Sequence, residues 1–356
     1  MAGEERREVL SAGAGLAAEV ALESGGELGE ISDVKARGYW EQVWRRFRKD
    51  KIAIASGVFI ILLILTAFLG APIVKAWLGH GPNDIFPEPG VGVDLQLVPR
   101  DPLTHAQAYN PETGKTEEVF FPLGTSDTLG RDLLMRLLYG ARVSLEVALG
   151  ATFLSMFIGV LLGATAGYFR GWIDALISRL TEIVMAFPLL LFVIALAATV
   201  GDRLNGVTLG FLPRGVMTLV LVGGVFGWFY PARIVRAQVL SLREKEFIEA
   251  ARMVGSSDWR IIRSHLLPHL VAPIIVYSTL IVAQFVLFEA GLSFLGLGVP
   301  LPDPSWGNLL AGAPQFYLQQ PWLMFWPGAA VLLTTLAFNL LGDGLRDAFD
   351  PRGAAH

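Results

Sequence analysis

His265 and His269 stand four residues apart, the spacing that places two imidazoles on one helical face where they could share a metal ion. No carboxylate lies at a spacing that would supply a third ligand, and Pro268 disturbs the helix between them, so no metal site is expected. No stretch reads G-x-x-x-x-G-K-[ST], the loop that cradles phosphates. None reads G-x-S-x-G, the nucleophile turn of hydrolases. The chain has no cysteine, which excludes thiolate ligands and disulfides. It is therefore expected to be non-catalytic, with no catalytic residue and no cofactor of its own. What remains is a set of polar side chains inside long apolar stretches: Tyr277, Gln284, Glu289 and Asn339. Inside a membrane such residues mark either a solute path or hydrogen bonds between helices. For Glu289 the two readings weigh equally, because a carboxylate is the costliest of the four to bury.

The elements that must position these residues follow from composition. Hydrophobic residues make up 53% of the chain and charged residues 17%, against about 25% in soluble domains. Mean hydropathy is +0.52. Uncharged apolar runs lie between Lys51 and Lys75, Glu146 and Arg170, Glu182 and Asp202, Arg214 and Arg233, and His269 and Glu289. A sixth runs roughly from Trp322 to Gly342. Each is close to the ~20 residues that cross a bilayer. The expectation is an all-α polytopic membrane protein with six transmembrane helices. A net charge of −4 gives no reason to expect nucleic acid as a partner.

Along the chain, residues 1–39 read as a mobile cytoplasmic tail and 40–51 as an interfacial helix, with Trp40, Trp44 and Phe47 interleaved among arginines. Residues 52–75 form the first span, 76–142 an extracytoplasmic segment, 143–342 a five-helix core, and 343–356 a cytoplasmic tail. Lys and Arg cluster before the first span and between the fourth and fifth, while the fifth-to-sixth connection has none. This bias places both termini, and the loop 241–268, in the cytoplasm. In the outside segment, Gly79 to Glu118 is expected to be irregular, and Leu123 to Leu145 to contain an interfacial helix. A short surface helix is expected at Ser305–Leu310. Ser155, Gly159, Gly163 and Gly167 recur every four residues, a small-residue stripe for close helix packing within the chain. Pro188 and Pro231 are expected to kink their helices.

The loop 241–268 is the one long charged segment between apolar ones. Phe247, Ala250, Ala251 and Val254 fall on one helical face. Gly255 then offers a left-handed C-cap, Ser256 or Ser257 an N-cap, and Pro268 the start of the next helix. A helix–Gly–helix knuckle with small residues invites a partner to dock.

Glu249-Ala250-Ala251, Gly255 and Leu267-Pro268 stand at the spacing of the cytoplasmic loop of permease subunits in ABC importers, which this chain resembles. His265 occupies a position that is usually hydrophobic, as often in the peptide-transporter branch. Leu123 to Asp132 (LGTSDTLGRD), Leu137 to Leu145 (LLYGARVSL), Phe288 to Gly298 (FEAGLSFLGLG) and Asn339 to Arg352 (NLLGDGLRDAFDPR) are similar to the same branch, the dipeptide/oligopeptide/nickel family. The resemblance covers about residues 40 to 352. It implies the type I ABC importer transmembrane fold in an inner membrane. It also implies a homologous second permease subunit, two ATPase subunits carrying ATP and Mg, and an extracytoplasmic solute-binding protein. Glu249, Ala250, Ala251, Arg252, Gly255, Ser257 and Asp258 would form the ATPase-docking surface. Tyr277, Gln284, Glu289 and Asn339 would be candidates for the pathway. Other readings are a secondary transporter or channel, and a membrane scaffold that docks a soluble partner.

Overall fold

The computed structural model describes residues 39–110, 115–186, 188, 191–192, 194–196, 199 and 215–350. Five helices in it are long and apolar enough to cross a membrane. The expected tail 1–39 lies outside the described residues except for Tyr39, and the third expected span, Glu182 to Asp202, lies partly outside them.

Helix α1 (Tyr39–Phe47) exposes Trp40 and Trp44. Asp50 opens α2 (Lys51–Leu78) by accepting from the N–H groups of Ile52 and Ala53, satisfying donors that would otherwise be orphaned at the helix start. Asp132 does the same for α3 (Leu133–Phe169), accepting from Met135 N–H at 2.8 Å. Helix α3 takes in Leu133 to Arg142, so the core begins ten residues before the boundary expected at 143. After α3 comes α4 (Gly171–Ala186). Then come α5 (Val216–Arg243), α6 (Glu246–Met253) and α7 (Asp258–Phe294). Helix α8 (Trp306–Gly312) begins on a capping box between Ser305 and Asn308. It is no surface helix, since Trp306 is fully buried. Helix α9 (Trp322–Phe349) continues past Gly342, so half of the expected tail 343–356 is helical.

The outside segment corrects another expectation. Strands β1 (Thr104–Asn110) and β2 (Lys115–Phe121) pair antiparallel, β1 and the first half of β2 in the stretch expected to be irregular. Their alternation buries Ala106, Ala108, Val119 and Phe121 on one face, against Val91 and Phe86.

Helix α3 is the centre of the bundle, packing against α5 and α7, while α7 packs on α9 and α9 on α2. The small-residue stripe serves this packing within the chain. A Cβ placed on Gly159 would meet Pro231 Cβ at 2.4 Å, and one on Gly163 would meet Ala232 O at 2.5 Å. Only hydrogen at these positions lets the α3 and α5 backbones approach so closely.

Candidate functional site

The knuckle is α6, a turn, and the first residues of α7. Gly255 adopts φ +84°, in the left-handed region. Its N–H donates to Arg252 O at 2.9 Å, and Ser256 N–H donates to Ala251 O at 3.0 Å. This pair of bonds is the Schellman arrangement, which satisfies the last carbonyls of α6. Ser257 takes the N-cap position of α7 with extended backbone, but its hydroxyl makes no cap bond. The second helix of the knuckle is not separate. It runs on through a π turn, Ile261–Leu266, into the span. Pro268, which has no N–H, follows that turn.

The apolar face of α6 differs from the one that the spacing suggests. Ile248 and Ala251 are buried, packed with Ala164, Tyr168, Val235 and Val239 at the ends of α3 and α5 and with Ile261 and Leu266 of α7. Phe247 and Ala250 lie outside this cluster, and Met253 and Val254 are 83% and 86% exposed. An eight-residue helix with apolar residues on both sides cannot reveal from its pattern which side faces the chain.

Glu249, Arg252 and Asp258 are exposed. Tyr168, which the sequence reading did not single out, anchors the knuckle. Its hydroxyl donates to Asp258 Oδ1 at 2.5 Å, its carbonyl accepts from Arg243, and the guanidinium of Arg252 lies 5.5 Å from its ring centre. His269 stacks on Phe247 at 5.0 Å, and a ring N–H donates to His265 O at 2.8 Å. His269 thus braces the knuckle, and no metal-holding group of three occurs among the described residues. Nearby, Arg236 grips Asp174 through two hydrogen bonds, at 2.5 and 2.7 Å. Those bonds hold the Asp174 carboxyl below its ordinary range.

The four polar span residues do not converge. Tyr277 and Gln284, seven apart, share one face of α7; Tyr277 is half-buried and Gln284 exposed. Asn339 is half-buried on α9. Glu289 has no exposed surface. Its carboxylate accepts from Ser144 Oγ of α3 at 2.6 Å and from Ser293 Oγ at 2.7 Å. Trp306 N–H donates in turn to Ser144 Oγ. In this form Glu289 ties three segments together and lines no open path. Glu289→Leu would strip two buried hydroxyls of their acceptor and is expected to cost about 3 kcal/mol. Glu289→Gln, which keeps one acceptor oxygen, is expected to cost less. Thermal unfolding of the purified variants checks this; a leucine variant that melts like the parent would remove the tying role.

A family model described as binding-protein-dependent transport system inner membrane component matches residues 159–354. A second, the N-terminal TM domain of oligopeptide transport permease C, matches residues 38–88. The glutathione transport system permease protein GsiD of Pectobacterium atrosepticum is 35% identical over 322 residues, 90% of this chain and 94% of that protein. The dipeptide transport system permease protein DppC of Alkalihalophilus pseudofirmus is 37% identical over 314 residues, 88% of this chain and 90% of that protein. Among solved structures, an inward-facing MetNI methionine ABC transporter chain is 18% identical with a TM-score of 0.48, covering 61% of this chain and 98% of that one.

Proposed function

The chain belongs to the family of binding-protein-dependent transport system inner membrane components, and we propose that it forms one half of the solute path of an ATP-driven importer. The observation that carries this reading is the knuckle. Ile248 and Ala251 sew it to the ends of α3 and α5, while Met253, Val254 and Trp259 are left exposed beside Gly255. Apolar side chains presented on a charged, well-braced turn suit a protein partner. The partner in this reading is an ATPase subunit, one of a pair that carries ATP and Mg²⁺. The second half of the path is a homologous permease subunit, and a solute-binding protein delivers from outside. Both termini and the knuckle face the cytoplasm, as the Lys and Arg distribution requires. The chain itself performs no hydrolysis.

ATP binding would close the ATPase pair and draw the two knuckles together. Helix α7 carries that displacement into the membrane without a break, being one 37-residue helix from Asp258. The solute is a di- or oligopeptide, as the names of GsiD and DppC suggest for their own systems. Reconstitution of the chain with its second permease, ATPases and binding protein should give peptide uptake that requires hydrolysable ATP. Uptake without any ATPase would point to a secondary transporter or channel. Tight ATPase binding with no flux would reduce the chain to a scaffold.

A further inference from the structure

The end of α7 remote from the knuckle lies about 55 Å from it along the helix axis. There a cavity of about 650 Å³ opens between the segment Ser126–Arg136 and the segment Ser293–Gln315. Two arginines on its wall are buried. Arg131 is neutralised by Asp127, whose Oδ2 lies 2.6 Å from its Nη2. Arg136, only 2% exposed, has no such match. Its Nη1 reaches three neutral oxygens: Pro82 O at 3.3 Å, Asn83 Oδ1 at 3.4 Å and Pro302 O at 3.2 Å. Its Nε has no hydrogen-bond partner. Asp127 and Asp303 act on it only through space.

A buried guanidinium with long bonds to neutral oxygens and a spare donor is a site short of an anion. The planar fork of arginine matches a carboxylate. The volume falls within the roughly 300–1,000 Å³ of small-molecule sites, too large for a lone inorganic ion. Dipeptides and glutathione both carry a free carboxylate. We infer that this cavity receives the free carboxylate of a small solute, with Arg136 as its donor. The inference rests on the importer reading and deepens it: the chain would select for an acid group at the point where solute arrives.

The test uses the assembled complex, with ATPases and second permease, in lipid nanodiscs. Calorimetric titration with Ala-Ala and with its C-terminal amide should show the acid binding at least about tenfold more tightly. Arg136→Gln should bring that ratio close to one. Because Arg136 also holds neighbouring backbone carbonyls, a second variant is needed. Ala311→Trp fills the cavity from an exposed position on its wall and should abolish binding without changing the melting temperature. Equal binding of acid and amide, or full binding by a folded Ala311→Trp variant, would overturn the inference. ATP-driven uptake in the same preparation separates the two readings. Uptake with no acid preference defeats the cavity site alone, whereas no uptake of any solute defeats the importer assignment.

Discussion

Gly163→Leu is expected to prevent the α3–α5 pair from closing and to leave little folded protein in detergent. The position is crowded by backbone, not by flexible side chains. A Cβ there would lie 2.5 Å from Ala232 O, 2.9 Å from Val235 Cβ and 3.0 Å from Ala232 Cα. None of these atoms can turn aside, so the two helices must separate. Separation would also loosen the contacts that Gly159 and Gly167 make one turn away on either side. Overpacking of a tight contact costs about 3 kcal/mol, and a spread helix pair should exceed that. Fluorescence-detected size exclusion and thermal melting read the effect. Gly291→Ala is the control, since nothing lies within 4 Å of a Cβ there and the residue is exposed. A Gly163→Leu protein that is monodisperse and as stable as the control would mean that the helices do not touch along this stripe.

Gly255→Val is expected to abolish capture of the ATPase subunits while membrane insertion and span packing survive. A Cβ at Gly255 would meet nothing within 4 Å, so volume is not the difficulty. The difficulty is φ +84°, which a β-branched residue adopts only at a cost of about 1–3 kcal/mol. An eight-residue helix has little stability of its own to absorb that cost. The Schellman bonds from Gly255 and Ser256 would open, and Met253, Val254 and Trp259 would lose their arrangement. Gly255→Asn should restore much of the binding, because asparagine tolerates the left-handed region. Co-purification of ATPase subunits with tagged chain is the measurement. Undiminished capture by the valine variant would sink the docking role. Failure of asparagine to rescue would shift the blame from backbone conformation to the added side chain.

Much of this architecture was legible in the residues. Apolar runs announced the spans, since a bilayer leaves few alternatives for a stretch of Ile, Leu and Phe. Gly255 announced its own backbone conformation. The inner face of α6 was not legible. The spacing of Phe247, Ala250, Ala251 and Val254 is as regular as any, but Ile248 and Ala251 are the pair that pack inward. The hairpin was hidden by alanine, which has weak strand preference, and by neighbouring Pro and Gly. Tyr168 was invisible for another reason: its partner Asp258 lies 90 residues further along. Glu289 was recognised as costly to bury, yet nothing local shows that Ser144 supplies a hydroxyl from 145 residues away.

The ties at Tyr168–Asp258 and Ser144–Glu289 join the same two helices, α3 and α7, near their opposite tips. Along α3 the two fastenings are about 36 Å apart. Two rods lashed at two distant points form a splint: neither can slide, scissor or spin against the other while both knots hold. While both hold, a change of access in this subunit would swing the splint as one piece and open a seam elsewhere.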